Sequence, residues 1–447
     1  MKNKKILTAV LVGSLIGAGL VGFAGCGKAH VHEYGQTQYI VENDKAFTYR
    51  KCGCGEETEK TELEEGKYVI VNPTTAQYIL DGYTSVEASN KKLTELLDND
   101  KFEINNKIVI FDKGEYNDEL NIRPTAGSVD EIYGNLKNNV VGEKITDYST
   151  LDDSKVYHYN RILKNVTFAG TEGANFNNAF NLCAQFHNCE DSGKILCTYD
   201  YVRKLDFSGV GKYKFFNDVN SDNIKFENLN FKTANGRLYL RNMPMQIEVQ
   251  SVMTKNITVS GCTFINDSET KSSFNAIDMV TGTNSHIENV TIKNNKISGY
   301  NRAIDLVLVK NQYITDNEIE NCAHNGVGIY RYSEESNLEA GDVVVKNNTF
   351  KNGESRAIKV YRAKDANIVI ENNKIENYCE EKDGDKQIFE VSDCKGETYL
   401  TANNNTYGGR NITNLDKTAY AEIENIGGGM YFVQDANGNF LTKTKQA

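Results

Sequence analysis

Apolar residues recur along the second half of the chain in short alternating runs, each interrupted at the same point by a polar pair. The runs Ile224-Lys225-Phe226, Ile257-Thr258-Val259, Ile292-Lys293-Asn294-Asn295-Lys296-Ile297 and Ile314-Thr315-Asp316-Asn317-Glu318-Ile319 are four copies. Val345-Lys346-Asn347-Asn348-Thr349-Phe350 and Ile370-Glu371-Asn372-Asn373-Lys374-Ile375 continue them, and Leu400 to Asn405 is a degraded last copy. Alternation of this kind marks strands with one face buried. A repeat step between 22 and 33 residues marks one supersecondary unit per repeat, stacked on its neighbours. The Asn pair falls where each coil must bend, because Asn tolerates the left-handed backbone. Stacking of equivalent amides from coil to coil predicts a ladder through Asn295, Asn317, Asn348, Asn373 and Asn404.

The expected fold is therefore all-β: a right-handed parallel β-helix with three strands per coil, over residues 67–410. Ala76, Ile79, Leu80, Leu93, Leu96 and Leu97 have helical spacing and predict a capping helix before the first coil. At the other end, Asn437-Gly438 between Phe432-Val433 and Phe440-Leu441 predicts a closing hairpin within residues 411–447.

A second motif keeps register with the first: Ile247-Glu248-Val249, Ile277-Asp278-Met279, Ile304-Asp305-Leu306, Val327-Gly328-Ile329 and Ile358-Lys359-Val360. Its middle residues face outward, so Glu248, Asp278 and Asp305 are expected as an acidic column, with Lys359 further along. Strands about 4.8 Å apart make such a column costly unless Ca²⁺, a neighbouring Arg302 or Lys359, or a shared proton offsets the repulsion. Tyr330 and Tyr361 occupy the next outward position, beside Arg331 and Arg362, and Tyr faces stack on sugar rings.

The beginning of the chain is of a different kind. Lys2, Lys4 and Lys5 precede an uncharged apolar run from Ile6 to Gly22, and Phe23-Ala24-Gly25-Cys26 resembles the lipobox of bacterial lipoproteins. The resemblance implies a signal peptide over residues 1–25, lipidation of Cys26, a membrane anchor and a place outside the cytoplasm. Residues 26–66 then read as a tether with a charged linker from Glu56 to Glu65. Within it, His30, His32, Cys52 and Cys54 predict a structural zinc knuckle, since two imidazoles and two thiolates match tetrahedral zinc.

Composition narrows the function classes. Only 39% of residues are hydrophobic and mean hydropathy is -0.53, which excludes a multi-span membrane protein. A net charge of -11 argues against nucleic acid as a partner.

Over roughly residues 105 to 410 the chain resembles the pectate-lyase-like β-helix superfamily. Within it, the polygalacturonase branch carries acids, a His segment and an Arg-Ile-Lys segment on successive coils. Here the order is Asn275-Ala276-Ile277-Asp278, Asn301 to Asp305, His324-Asn325-Gly326 and Arg356-Ala357-Ile358-Lys359. The resemblance implies Asp278 and Asp305 as acid and base for glycosidic hydrolysis, His324 tuning one of them, and Arg356 and Lys359 holding a sugar carboxylate. Asp305 stands alone where that branch pairs two Asp, and Arg356 lies one residue further from Lys359. The reading is a surface lipoprotein that binds polysaccharide, with cleavage of an acidic polysaccharide by hydrolysis or elimination as the alternative. A stalk that binds a protein partner is the third reading.

Overall fold

The computed structural model describes residues 31–89, 102–122, 131–133, 143–147, 150, 157–184, 215–242, 252–281, 285–330, 339–378, 387–412, 414–424, 430–434 and 440–444. Cys26, His30, Glu248 and Arg331 lie outside them, as does the apolar leader.

Among the described residues the main body consists of three sheets of 13, 10 and 10 strands, wound as parallel coils. Sheet 1 carries the long strands, among them Val252–Ser260, Ser285–Lys293, Val309–Thr315, Gly341–Lys346 and Ala366–Glu371. Sheet 2 carries short ones such as Lys296–Ser298, Glu318–Glu320 and Thr349–Lys351. Sheet 3 runs through Leu238–Asn242, Ile277–Thr281, Ile304–Val307, Val327–Tyr330, Ile358–Tyr361 and Gln387–Ser392. Inward residues of all three meet in one continuous core, where Ile292, Ile297, Ile314, Ile319, Val345 and Phe350 are fully buried. Phe231 and Phe264, one coil apart, stack at 4.7 Å with rings 4° from parallel, as in-register coils require.

The corner between sheets 1 and 2 explains the polar pair. Asn294, Asp316, Asn347, Asn372 and Asn404 hold φ between 55° and 58°, and Gly261 takes the same role at 62°. The residue after each corner points inward. Asn295, Asn317, Asn348, Asn373 and Asn405 are buried, and each amide oxygen accepts from the backbone N–H of the rung before it at 2.9–3.0 Å. Each Nδ2 from Asn295 to Asn373 also donates to the next rung's oxygen at 2.9–3.1 Å. The last rung is thus Asn405 and not Asn404, which is the left-handed corner. The run Asn403-Asn404-Asn405 offers three candidates, and Asn403, paired with Glu371, still belongs to the strand.

Both ends of the coil stack are covered. At the start, α1 (Ala76–Leu80) and α2 (Val86–Ser89) lie in the segment expected as a capping helix, and Ala76 and Leu80 join the main core, while Leu93, Leu96 and Leu97 lie outside the described residues. At the far end each sheet finishes on an antiparallel strand: Leu415–Ala419, Arg410–Asn411 and Met430–Gln434. The last of these pairs with Phe440–Thr444 as the expected hairpin, whose Asn437-Gly438 turn lies outside the described residues.

The segment expected as a tether is folded from Tyr34 to Glu62. β1 (Tyr34–Glu42), β2 (Lys45–Cys52) and β3 (Thr61–Glu62) form an antiparallel sheet. It docks on the outer face of sheet 1. Tyr39 and Ala46 pack with Ile110 and Ala169, Tyr39 Oη donates to Glu227 at 2.7 Å, and Asn228 Nδ2 donates to the Thr37 carbonyl at 2.8 Å.

Removing a rung orphans buried donors and acceptors on both neighbours. Asn348→Ala is expected to cost about 2–4 kcal/mol in denaturant unfolding. Asn404→Gly, at a corner that glycine accepts freely, is expected to stay within about 0.5 kcal/mol. Equal losses for the two variants would contradict this assignment of ladder and corner.

Candidate functional site

The outward column of sheet 3 runs Tyr239, Asp278, Asp305, Gly328, Lys359, Glu390 by strand register. The partner of Asp278 on the preceding coil is therefore Tyr239, which corrects the expected place of Glu248. Leu238-Tyr239-Leu240 has the same apolar-x-apolar form as Ile247-Glu248-Val249, and the register selects it.

Two acids are left adjacent. Asn275, three residues before Asp278, donates its Nδ2 to Oδ2 of Asp278 at 3.3 Å and to Oδ2 of Asp305 at 3.2 Å. Asn301, at the equivalent edge of the next coil, donates to the Asn275 oxygen at 3.2 Å and so fixes which way that amide points. Arg302 lies 3.5 Å from Asp305. Asp305 is only 4% exposed, and its Oδ1 has no hydrogen-bond partner among the described residues. Burial, opposed by Arg302 and reinforced by Asp278, raises its pKa to about 7. Near neutral pH this carboxyl is thus divided between its acid and its anion. The repulsion anticipated for an acidic column is met here by a shared amide donor, one guanidinium and the raised pKa of Asp305.

Further along, Lys359 and Arg356 both reach Glu390, at 3.2 Å and 2.5 Å. Glu390 is 5% exposed, and its other oxygen accepts from the Ser392 hydroxyl at 2.8 Å. Sequence reasoning missed Glu390, although Phe389-Glu390-Val391 repeats the motif that located Lys359. The cations expected to grip a sugar carboxylate already hold one belonging to the protein.

The tyrosines divide. Tyr330 is 5% exposed and packs with Val307 and Leu308, which corrects its expected role as an open stacking face. Gly328 is the cause: a Cβ there would come within 2.4 Å of the Tyr330 ring, so only glycine lets the ring fold flat along the sheet. Asn325 donates to the Tyr330 hydroxyl at 2.5 Å, and the Arg302 guanidinium lies 5.5 Å from its ring. Tyr361 remains half-buried, with Arg362 at 4.9 Å and Lys359 at 5.3 Å from its ring. Arg362 itself takes a left-handed φ of 58° as the chain leaves the strand. An aromatic not singled out from sequence, Phe274, is 40% exposed at the rim and carries Arg237 at 3.8 Å over one face.

His324 occupies the same edge, half-buried. Burial first, then Arg302, lowers its pKa, so the ring is neutral near pH 7. Its backbone N–H donates to the Asn301 carbonyl at 2.7 Å, and its Nδ1 has no hydrogen-bond partner among the described residues.

The face thus gathers Arg237, Arg302, Arg356, Lys359 and Arg362 on a chain whose net charge is -11. Away from it, His32, Cys52 and Cys54 bring their ligand atoms within 4.8 Å of one another, which unites three of the four residues expected to hold zinc.

A family model described as a right-handed β-helix region matches residues 215–441, just over half of the chain. The chain belongs to the right-handed β-helix family. Among solved structures it is similar in fold to a hyperthermoactive exopolygalacturonase from Thermotoga maritima, at 11% identity and a TM-score of 0.28, over 84% of this chain and 95% of that one. It is similar in the same way to a Family 28 exopolygalacturonase from Yersinia enterocolitica, at 12% identity and a TM-score of 0.29, over 81% and 71%. No curated protein sequence matches.

A buried carboxyl whose folded pKa exceeds its unfolded value stabilises nothing as an anion. The associated penalty is absent below the unfolded value of 3.8, grows as pH rises and is complete above about 7. Asp305→Asn is therefore expected to be more stable than wild type at pH 8, by about 2–4 kcal/mol, with the difference shrinking steadily toward pH 4. Denaturant titration at several pH values measures this, and a gap that does not change with pH would contradict it.

Proposed function

We propose that sheet 3 binds an acidic polysaccharide across successive coils and cleaves its glycosidic bond by hydrolysis at Asp278 and Asp305. The carrying observation is the pair of carboxyls held on one amide nitrogen, one of them buried so that its pKa is raised to about 7. Asp305 is the general acid that protonates the leaving oxygen. Asp278, the more exposed of the two, acts as base or nucleophile. Asn275 and Asn301 keep the two acids in fixed orientation. The concentration of cations on this one face of an acidic protein supports an anionic chain as substrate. Phe274 and Tyr361 offer the sugar-facing aromatic surfaces, in place of the buried Tyr330.

Binding without turnover is a second reading, favoured by Glu390, which occupies Arg356 and Lys359 with an internal carboxylate. In either case the protein works at a membrane surface outside the cytoplasm, anchored through lipidated Cys26, as the lipobox-like Phe23-Ala24-Gly25-Cys26 supports.

Incubation with acidic and neutral polysaccharides, with and without Ca²⁺, followed by size chromatography, separates the readings. Hydrolysis predicts shortening of an acidic polymer at a rate that falls above about pH 7 as Asp305 loses its proton. Asp278→Asn and Asp305→Asn should each lower that rate at least about 100-fold. Retention of an uncleaved polymer, weakened by Phe274→Ala, would replace hydrolysis with binding. Neither shortening nor retention would overturn both and leave a protein partner as the reading.

A further inference from the structure

The cluster His32, Cys52 and Cys54 plays no part in the sheet 3 site. His32 Nδ1 and Cys54 Sγ are 3.3 Å apart, and all three ligand atoms lie within 4.8 Å of one another. Ligands on one tetrahedral zinc, at about 2.3 Å for sulfur and 2.0–2.1 Å for nitrogen, sit about 3.5–3.8 Å from each other. The donors are therefore already gathered to that scale. Neither cysteine is in a disulfide.

The backbone explains the convergence. Cys52 closes β2 opposite Tyr34 of β1, which places it beside the chain entering from His32. His32 is held there by stacking on Tyr34, with ring centroids 5.9 Å apart. A tight turn then returns Cys54: Cys52 N–H donates to the Glu56 carbonyl at 2.7 Å, and Gly55 N–H donates to the Cys52 carbonyl at 2.8 Å. Gly55 holds φ at 95°, where a side chain would be strained, and nothing lies within 4 Å of where a Cβ would sit on Gly53 or Gly55. Two thiolates balance the charge of a divalent ion and select a soft or borderline metal over calcium or magnesium.

We propose that His32, Cys52 and Cys54 bind one zinc ion, which clips the entry of β1 to the end of β2. The clip acts on a sheet that meets the main body through the apolar cluster of Tyr39, Ala46, Ile110 and Ala169 and the hydrogen bonds from Tyr39 to Glu227 and from Asn228 to Thr37. Zinc binding closes the open end of that sheet and keeps it docked on sheet 1.

The test uses the full-length chain, reduced, stripped with chelator, titrated with Co²⁺ and then back-titrated with Zn²⁺. One equivalent of Co²⁺ should produce thiolate-to-metal charge-transfer absorption that Zn²⁺ abolishes. Cys52→Ser and Cys54→Ser should each remove most of that absorption, and His32→Ala should weaken Zn²⁺ binding at least tenfold. Unfolding of the β-helix, followed by circular dichroism, reports whether each variant is folded. Zinc should slow proteolysis within residues 34–62 at least tenfold in wild type and not in Cys54→Ser. A cobalt spectrum without thiolate bands, absence of binding, or a Cys52–Cys54 disulfide in freshly purified protein would overturn the site. Binding without protection would overturn the clip.

Discussion

Everything in this protein hangs on one corner repeated from coil to coil. A residue at φ near +55° turns the chain from sheet 1 into sheet 2, and the residue behind it is driven inside. When that inner residue is Asn, its amide does three things at once: it accepts from the backbone N–H of the rung before, donates to a backbone carbonyl and donates to the next Asn. An interior polar group is tolerated only when its hydrogen bonds are made, and these bonds are made only in one register. Slippage by one residue would bury charged side chains and expose the core, because side chains alternate faces with a period of two. The ladder is thus a register lock, and each outward column inherits its alignment from it.

That alignment is what makes sheet 3 chemically unusual. In a compact fold, two acids close in space can adjust by moving apart. Here Asp278 and Asp305 are opposed by strand pairing and cannot. Like charges at such spacing repel by about 1 kcal/mol in water and by several at a partly buried site. The structure answers on one side with a shared Asn275 donor, Arg302 and a raised pKa at Asp305. Two coils along, it answers the opposite charge of Lys359 with Glu390 directly beside it. Parallel coils therefore convert a sequence repeat into enforced proximity, and enforced proximity into shifted acidity.

The period and face of the strands were legible because each copy carries its apolar residues and its corner together. Asp278, Asp305 and Lys359 followed at once, being the middle residues of clear triplets. Where reading failed, two segments of the same form competed or a distant residue decided. Asn404 and Asn405 differ only in which one turns the chain. Leu238-Tyr239-Leu240 and Ile247-Glu248-Val249 are equivalent as patterns, and pairing with Ile277-Asp278-Met279 is a long-range fact. Tyr330 reads as outward by alternation, and so it is. Its burial comes from the missing side chain of Gly328 and from Asn325 holding its hydroxyl. The folding of Tyr34–Glu62 was hidden by its charge, because its apolar contacts are few and lie across the chain on Ile110 and Ala169.

The position of that N-terminal sheet bears on where a ligand goes. Of the three faces that a coil stack presents, sheet 1 is partly covered, since Tyr39, Ala46 and Val41 take up its outer surface near Ala169 and Gln36 reaches Gly261. Sheet 2 strands are two or three residues long, and a three-residue strand such as Lys296–Ser298 turns only its two end residues outward. Sheet 3 has four to six residues per strand from Leu238–Asn242 to Gln387–Ser392, an edge occupied by Asn275, Asn301 and His324, and the cations Arg237, Arg302, Arg356, Lys359 and Arg362. A polymer lying across the coils meets a new set of side chains at about every 4.8 Å, close to the scale of a sugar ring. The partial covering of sheet 1 and the cations gathered on sheet 3 are the reasons that sheet 3 is the surface proposed for an extended anionic ligand.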